Sequence, residues 1–395
     1  MHAFLKKTLV FIAASACCTW ASAQKAPSAS SSYAQRDDAQ AFVNEVAARE
    51  HIDRGWLQAA INQAQFNSRV QSLMTPRTGP AGVKNWRAYR SRFVEPIRIR
   101  AGLRFWQDNA ATLERAEREF GVPAEIIVGI IGVETIYGQQ MGGFTVADAL
   151  ATLAFDFPAS HPRAAERAAY FRRELEQFLT NAYLTRVDPF EAKGSYAGAM
   201  GIPQFMPSSW AAYAVDYDGD GRIDLFNSPV DAIGSVANYF VSHGWRRGLP
   251  THYRVLVDSS PQQLATLLAP DINPSFSAAE MLANGAAVQG EGSANAGPLA
   301  LIELKNGGDA ASYVAGTQNF YVVTRYNWSS FYAMSVIELG QAIRQARSSG
   351  VLPGAEPQPA AEVDPSNAVA AGYAQAWRRS KAAGAPPATA PMPAN

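Results

Sequence analysis

Apolar residues recur at helical spacing along most of the chain from Asp37 onward, and Gly or Pro punctuates several of these stretches. The pattern predicts helices over Ala41–Glu50, Gly55–Gln65, Leu103–Phe120, Ala124–Tyr137, Arg163–Ala182 and Asp231–His243. Between His252 and Tyr326, short β-prone runs separated by Gly, Asn and Ser predict strands over Tyr253–Val257, Ala300–Leu304 and Asn319–Thr324. We therefore expect an α+β fold that is mainly α, with a small β subdomain inserted at about residues 250–325.

The first 23 residues have the pattern of a secretory signal peptide. Lys6 and Lys7 precede an apolar stretch from Thr8 to Trp20, and the small residues Ala21-Ser22-Ala23 follow it. The stretch is shorter than the ~20 apolar residues that a bilayer span needs. We expect cleavage after Ala23, export to the periplasm and no transmembrane span in the mature chain.

Both cysteines of the chain, Cys17 and Cys18, lie inside this segment. Cleavage therefore leaves a mature chain without a thiol or a disulfide. The string Ala14-Ser15-Ala16-Cys17 loosely resembles a lipoprotein signal. An outer-membrane lipid anchor at Cys17 is the alternative to simple cleavage.

Two low-complexity segments flank the body of the chain. Residues 24–35 are rich in Ser and Ala and predict a linker, whereas residues 351–395 hold 8 of the 24 prolines together with many alanines. We expect this tail to be flexible, and it is a candidate docking segment for a partner protein. The folded unit is expected to span residues 36–350.

Composition narrows the range of partners. The 34 Lys and Arg balance 34 Asp and Glu, and charged residues make up only 17% of the chain. Nucleic-acid binding proteins usually carry a strongly basic patch, and this balance offers none. We expect no nucleic-acid partner.

One glutamate interrupts an otherwise apolar predicted helix. Glu134 is the only charged residue from Ile126 through Ala147, and it shares a helical stripe with Ile127 and Ile130. Burial raises the pKa of a carboxyl group, and an acid that stays protonated near neutral pH can protonate a glycosidic oxygen. The segment alone leaves two interpretations open, a general acid or a structural glutamate that caps a helix or pairs with an arginine.

A turn rich in glycine and proline lies at residues 193–210 and predicts close approach of the backbone to another group. Its Ser195 and Gln204 offer hydrogen bonds, while Tyr196, Phe205 and Met206 offer apolar faces of the kind on which sugar rings lie. A tight connection between helices explains the same composition. A saccharide groove and a packing turn both remain possible on this segment alone.

Four motifs together resemble one known family. They are Gly-Ile-Ile-Gly-Val-Glu-Thr around Glu134, the run Gly-Ser-Tyr-Ala-Gly-Ala-Met-Gly-Ile-Pro-Gln-Phe-Met-Pro-Ser-Ser beginning at Gly194, Asp231–Trp245, and Arg325-Tyr326-Asn327. In this order and at these separations they resemble the membrane-bound lytic murein transglycosylase B family, over roughly residues 36–345. The resemblance implies a lysozyme-like catalytic core with an N-terminal helical part.

The resemblance also implies roles for individual residues. Glu134 is implied as the only catalytic carboxylate. The positions implied to line the groove and hold the muramoyl residue are Tyr89, Ser195, Gln204, Tyr239, Tyr326 and Asn327. The implied partner is the peptidoglycan glycan strand, and proteins of cell-wall synthesis are candidate partners of the tail.

A calcium loop is predicted at residues 216–231. Its order follows the EF-hand, with Gly221 at the sharp turn and oxygen ligands from Asp216, Asp218, Asp220, the backbone carbonyl of Arg222, Asp224 and finally Asp231. It departs from the EF-hand at position 12, where Asn227 replaces the bidentate Glu. We expect a structural Ca²⁺, with an acidic surface turn as the alternative.

The combined expectation is an enzyme that cleaves the β-1,4 bond between N-acetylmuramic acid and N-acetylglucosamine without consuming water. Glu134 would act as acid and then as base, so that a 1,6-anhydromuramoyl end forms. Two alternatives are a hydrolytic muramidase and a non-catalytic peptidoglycan-binding or scaffold protein.

Overall fold

A computed structural model describes residues 32–76 and 82–350 of the protein. The predicted signal peptide with Cys17, the linker up to residue 31 and the tail at 351–395 lie outside the described residues. No helix within the two described ranges combines the length and apolar character that crossing a membrane requires.

In the described ranges the chain folds mainly into helices. These are α1 (Asp37–Glu50), α2 (Arg54–Gln63), α3 (Ser68–Met74), α4 (Trp86–Arg90), α5 (Pro96–Asp108), α6 (Ala110–Phe120), α7 (Ala124–Thr135), α8 (Val146–Phe155), α9 (Ala164–Thr185), α10 (Pro207–Tyr213), α11 (Pro229–Ser242), α12 (Pro261–Leu268), α13 (Ala278–Ala283), α14 (Gln318–Tyr326) and α15 (Ser330–Ser349). The strands are β1 (Phe144–Thr145), β2 (Lys193–Gly194), β3 (His252–Val257), β4 (Ala286–Val288), β5 (Ala300–Asn306) and β6 (Asp309–Gly316).

The helices enclose two apolar cores. One is built by α1, α2, α8 and α9, whose inward faces supply side chains such as Phe42, Leu150 and Phe171. The other surrounds α7 and is completed by α5, α6, α11, α14 and α15, with Phe240 and Phe320 among its fully buried side chains. The helix that carries Glu134 therefore lies in the interior of the second core.

The β subdomain is an antiparallel four-stranded sheet with the strand order β4-β3-β6-β5. Val255 faces Val288 across the first pair, and Ile302 faces Val314 across the last. One side of the sheet packs with α12 and α13 over a small core that includes Leu267 and Met281. The predicted subdomain is present, and its last strand ends at Gly316.

Five of the six predicted helices are confirmed with end shifts of a few residues, but the prediction over Leu103–Phe120 is wrong as a single helix. The chain forms α5 and α6, which are separated at Asn109, where the backbone leaves helical geometry (φ −118°, ψ 21°). Asn109 donates from its Nδ2 to the carbonyl of Phe105 and so ends α5. A local side-chain hydrogen bond therefore replaced the continuous helix that the apolar period predicted.

The strand predicted over Asn319–Thr324 is also wrong, because these residues form α14. The side chain of Thr317 accepts a hydrogen bond from the backbone N–H of Asn319 and caps the helix. Phe320 and Val323 then point into the large core. Tertiary packing overrides the β preference of the two adjacent valines, as it often does in short apolar segments.

Ordered structure begins before the predicted boundary at residue 36. Tyr33 is 1% exposed, and its ring lies 5.2 Å from that of Phe155 in α8. Ser32 pairs with Gln65 in an isolated bridge. The last residues of the predicted linker therefore belong to the folded unit.

Candidate active site

Helix α7 holds Glu134 in a closely packed position. Apolar side chains cover α7 on nearly all sides, and α15 lies against it so closely that a Cβ on Gly129 would stand 2.3 Å from the carbonyl oxygen of Val336. Such a distance excludes any side chain larger than hydrogen. The glycine in the apolar string thus lets α15 approach the helix that carries the carboxyl group.

Glu134 itself lies one residue before the end of α7 and is partly exposed. Its Oε1 accepts a hydrogen bond of 2.5 Å from the hydroxyl of Tyr332, and among the described residues it forms no salt bridge. Burial raises the pKa of Glu134 to about 8, although the hydrogen bond from Tyr332 lowers it. The carboxyl group is therefore mostly protonated near neutral pH, as its position in the sequence predicted.

Three tyrosines surround this carboxyl group. Burial raises the pKa of Tyr89, Tyr326 and Tyr332, and the charge of Glu134 raises each of them further. The three phenols therefore remain protonated at neutral pH. Tyr89 and Tyr326 were predicted site residues, and the structure places both of them beside Glu134.

Tyr332 is the functional side chain that the sequence analysis missed. It lies in the first turn of α15, where Ser329 caps the helix by accepting from the backbone N–H of Tyr332. A Ser followed by an apolar-periodic run was visible as a helix start. The pairing with Glu134 was not, because 198 residues separate the two side chains in the chain.

The residues after Glu134 connect α7 to the glycine-rich turn. Thr135 is fully buried, and its Oγ1 donates a hydrogen bond of 2.8 Å to the carbonyl of Ile202 in that turn. Ile136 and Tyr137 follow with φ values of 49° and 59°, so the helix ends at Thr135 and the chain reverses. Glu134 is thereby held against the turn at residues 193–210.

The turn is fixed by its own hydrogen bonds. Ser195 is buried, and its Oγ accepts from the backbone N–H groups of Ala197 and Ala199.

Gln204 has a φ of 53°, and its Nε2 donates to the carbonyls of Gly201 and Met141. Gly201 has a φ of 72° and a Cβ there would lie 2.5 Å from the carbonyl oxygen of Leu225. The hydrogen bonds of Ser195 and Gln204 thus shape the backbone of the turn.

The other predicted groove residues meet beneath this turn. Tyr239 and Tyr326 have ring centroids 4.8 Å apart, and the Tyr326 hydroxyl donates to the carbonyl of Pro203. The Tyr239 hydroxyl donates to the carbonyl of Arg325. Asn327 is 2% exposed, and its Oδ1 has no hydrogen-bond partner among the described residues. A buried acceptor without a donor is uncommon and marks a place for a ligand or solvent hydrogen.

The predicted calcium loop brings three carboxylates together. Ligand oxygens of Asp216, Asp218 and Asp231 lie within 4.8 Å of one another, and none of the three forms a salt bridge within the described part of the chain. Asp231 is 1% exposed and accepts backbone N–H groups from both arms of the loop, at Tyr217 and Asp224. This all-oxygen set fits a hard cation such as Ca²⁺.

The remaining predicted ligands make contacts within the loop. Asp220 accepts from the backbone N–H of Arg222, and Asp224 accepts from the backbone N–H groups of Phe226 and Asn227. Gly221 has a φ of 87°, as the predicted sharp turn requires. The carboxylates of Asp220 and Asp224 are not part of the group of three, and they stabilise the course of the loop.

Comparison with known proteins identifies the family. Residues 34–341 match the family described as the Transglycosylase SLT domain. The chain is 42% identical over 324 residues to membrane-bound lytic murein transglycosylase B of Escherichia coli (strain K12), which covers 80% of this chain and 85% of that protein.

Two solved structures are similar along their length. One is the Escherichia coli lytic transglycosylase Slt35 in complex with calcium, with 41% identity, 80% of this chain and 96% of that chain covered, and a TM-score of 0.69. The other is SltB3 from Pseudomonas aeruginosa in complex with NAG-NAM-pentapeptide, with 28% identity, 83% of each chain covered and a TM-score of 0.66. The protein therefore belongs to the transglycosylase SLT domain family and is a peptidoglycan lytic transglycosylase, an enzyme that cleaves glycosidic bonds of peptidoglycan.

Proposed function

We propose that Glu134 carries out both proton transfers of the reaction, at the bond between N-acetylmuramic acid and N-acetylglucosamine. The observation that carries this proposal is the carboxyl group of Glu134, a partly exposed residue, whose pKa burial raises to about 8. At neutral pH such a group holds a proton that it can give to the leaving glycosidic oxygen. A glutamate with an ordinary pKa would hold that proton only in acid.

The second proton transfer returns Glu134 to its starting state. After the first step Glu134 is a carboxylate, and it takes the proton from the C6 hydroxyl of the muramoyl residue. The oxygen of that hydroxyl bonds to the anomeric carbon, so a 1,6-anhydro ring forms and no water is consumed. Burial and the Tyr332 hydrogen bond are the influences on the pKa of Glu134, and no second carboxyl group among the described residues contributes. This supports a nucleophile from the substrate, since retaining glycosidases otherwise use a second carboxylate.

Tyr332 and the predicted groove residues position the reaction. Tyr332 donates to Oε1 of Glu134 and so fixes the direction of the carboxyl group while leaving Oε2 for the substrate. Tyr89 and Tyr326 supply walls on which a sugar ring can lie. The Oδ1 of Asn327 is a buried acceptor that a substrate hydroxyl or acetamido N–H would satisfy.

A bound Ca²⁺ would hold the loop at residues 216–231 together. The cation would neutralise the mutual repulsion of Asp216, Asp218 and Asp231, and a related enzyme has been solved in complex with calcium. The backbone N–H of Ile202 donates to the carbonyl of Leu225, which connects the loop with the turn near Glu134. We assign the cation a structural role, because a hard ion at this place is not needed to protonate a glycosidic oxygen.

Export with cleavage after Ala23 and docking through the tail complete the proposal for the whole chain, and lipid attachment at Cys17 is the alternative to that cleavage. Peptidoglycan lies outside the cytoplasmic membrane, so a substrate of this kind supports export through the predicted signal peptide. The Escherichia coli relative is described as membrane-bound. Mass analysis of the mature N-terminus from exported protein distinguishes cleavage after Ala23 from a lipidated Cys17.

Product analysis on purified sacculi tests the reaction. The purified enzyme should release fragments that end in 1,6-anhydromuramic acid, which are 18 mass units lighter than the hydrolysed fragments because one water is missing. Reducing ends in place of anhydro ends would identify a hydrolytic muramidase. Binding to sacculi without soluble products would identify a non-catalytic protein.

A further inference from the structure

A cavity lies beside the beginning of α15. Its volume is about 230 Å³, and its walls come from the chain before α4, the segment after α12, strand β5 and the residues from Trp328 to Phe331. Four charged side chains line it, namely Lys84, Asp271, Glu303 and Lys305. None of these residues belongs to the site described above.

This cavity adjoins the catalytic carboxyl group through a shared wall. The ring of Phe331, which lines the cavity, lies 5.5 Å from that of Tyr89. The next residue, Tyr332, donates to Glu134. On the other side, Trp328 follows Asn327 directly in the chain. A side branch of a substrate held at Glu134 can therefore reach the cavity.

The charges in the cavity are of both signs. Lys305 lies 3.4 Å from Glu303, and the ammonium of Lys84 stands over the ring of Phe331 at 5.9 Å. The first turn of α15 adds backbone N–H groups that the helix itself does not use, together with the positive end of its dipole. A wall with two cations and two anions suits a ligand that carries both carboxylates and an ammonium group, whereas a glycan strand without its peptides carries the carboxylates of its lactyl groups but no ammonium group.

The size of the cavity also favours a branch over a strand. Small-molecule pockets usually measure ~300–1,000 Å³, so a cavity of about 230 Å³ holds the end of a flexible chain and not a further pair of sugar rings. The muramoyl residues of peptidoglycan carry short peptides with free carboxylates and amino groups. A related enzyme has been solved with such a branch, as NAG-NAM-pentapeptide.

We propose that this cavity binds the peptide branch of the glycan strand, with Lys84 and Lys305 facing its carboxylates and Asp271 and Glu303 facing its amino group. The proposal rests on the proposed function, because it places the branch relative to a sugar held at Glu134. It makes the cavity a determinant of specificity that separates peptide-bearing strands from stripped ones.

Steady-state kinetics on two substrates test the cationic side. The substrates are solubilised glycan strands with their peptides and the same strands after an amidase has removed them. In Lys84→Gln/Lys305→Gln the KM for peptide-bearing strands, divided by the KM for stripped strands, should rise about tenfold for the loss of charged hydrogen bonds. The control is Arg87→Gln, which removes an exposed cation that pairs with Asp309 outside the cavity. A ratio equal to that of the control overturns the proposal.

A second variant tests the anionic side and does not depend on the first one folding. Asp271 has a φ of 55°, a conformation that Asn also adopts, so Asp271→Asn removes the charge without straining the backbone. The same KM ratio should rise severalfold in this variant, and acetylation of the amino group on the peptide should abolish the difference from the unmodified enzyme. If acetylated and free peptides respond alike, Asp271 does not face the amino group.

The failure of the proposed function is distinguishable from the failure of this inference. If the unmodified enzyme released no anhydro products from either substrate, the proposed proton transfers by Glu134 would be wrong. Binding of the two strand preparations to Glu134→Gln, measured by co-sedimentation or calorimetry, would still report on the cavity. Equal affinity for both preparations, with and without the Lys84 and Lys305 substitutions, overturns the cavity proposal alone.

Discussion

Glu134 in α7 and Glu174 in α9 are glutamates in apolar surroundings, and burial raises the pKa of both. Their hydrogen bonds differ. Both carboxyl oxygens of Glu174 are engaged by Ser208, one by its backbone N–H at 2.9 Å and the other by its hydroxyl at 2.7 Å. Glu134 accepts from the single hydroxyl of Tyr332, and its Oε2 has no hydrogen bond within the described ranges.

The difference shows that burial alone does not make a carboxyl group an acid catalyst. Glu174 is 3% exposed and fixes the start of α10, where Ser208 lies, so its oxygens are not available to a substrate. Glu134 is a partly exposed residue, and its Oε2 makes no hydrogen bond within the described ranges. The structural alternative that the sequence left open for Glu134, a helix cap, is the role that Glu174 fills.

The two glutamates should behave differently in catalysis. Glu134→Gln should lower kcat by about a thousandfold or more, because the general acid is lost and no other carboxyl group is placed to replace it. Glu174→Gln is the matched variant and should keep kcat within about threefold. Release of anhydro products from sacculi measures both. Comparable losses in the two variants would remove the distinction, and full activity in Glu134→Gln would remove the proposed acid.

The pH dependence of stability tests the raised pKa of Glu134. The folded state holds a proton on Glu134 up to a pKa of about 8, whereas the unfolded chain releases it near its ordinary pKa of 4.5. Between these values the folded state binds more protons, so its stability falls as pH rises, by about 1.4 kcal/mol per unit. Glu134→Gln has no such proton. Its free energy of unfolding relative to the unmodified enzyme should rise from pH 5 to pH 8 and level off beyond, in urea titrations at each pH. A difference that stays constant with pH would contradict the raised pKa.

The calcium loop adds a contrasting set of carboxylates, which a cation and not a proton would neutralise. Chelation should destabilise the enzyme by about 3 kcal/mol when the free cation had been at a hundred times its dissociation constant. Readdition of Ca²⁺ should restore the melting temperature, and Asp218→Asn should weaken this response.

The loss of kcat at alkaline pH should occur at the same pH after chelation, because burial and the Tyr332 hydrogen bond, and no described residue of the loop, shift the pKa of Glu134. A melting temperature that is indifferent to Ca²⁺ would favour an acidic surface turn without a cation.

Glu174→Gln should show its effect in stability. The amide supplies one acceptor where the carboxylate supplied two, so one hydrogen bond from Ser208 is lost at a buried position. The cost is about 1–3 kcal/mol, and calorimetry should show a lower melting temperature at unchanged product distribution. Ser208→Ala should cause a smaller loss, since the backbone N–H of residue 208 can still donate. An unchanged melting temperature in Glu174→Gln would show that the cap does not contribute.

Tyr332→Phe tests how the Tyr332 hydroxyl affects the pKa and the orientation of Glu134. The hydrogen bond from Tyr332 lowers the pKa of Glu134. Its removal should therefore move the fall of kcat at alkaline pH to a higher pH. We expect kcat to fall about tenfold, since the carboxyl group also loses the contact that orients it. Tyr253→Phe is the control, because Tyr253 donates to Asn295 in the β subdomain and neither residue lines the charged cavity. If kcat falls at the same alkaline pH in both enzymes, Tyr332 orients the carboxyl group of Glu134 without changing its pKa.

Much of the fold was predictable where neighbouring residues decide the structure. The apolar period located α1, α2, α7, α9 and α11, and the β texture located β3 and β5. One prediction failed at a local side-chain hydrogen bond that the apolar period does not record, and the other failed where a distant contact decided the structure. Asn109 ended a helix that the period continues, and residues 319–324 joined α14 because the large core received Phe320 and Val323.

For the candidate site, the sequence by itself determined the chemistry that is available. A lone carboxyl group on an apolar helix, a turn whose glycines permit close approach, and five aspartates in a short loop are all local features, and local spacing encodes them. Only the tertiary structure decided which side chains meet. Tyr332 reaches Glu134 across 198 residues because α15 packs on α7, and the charged cavity forms where β5 meets the start of α15. Such contacts depend on how whole elements pack, and no periodicity within one element records them.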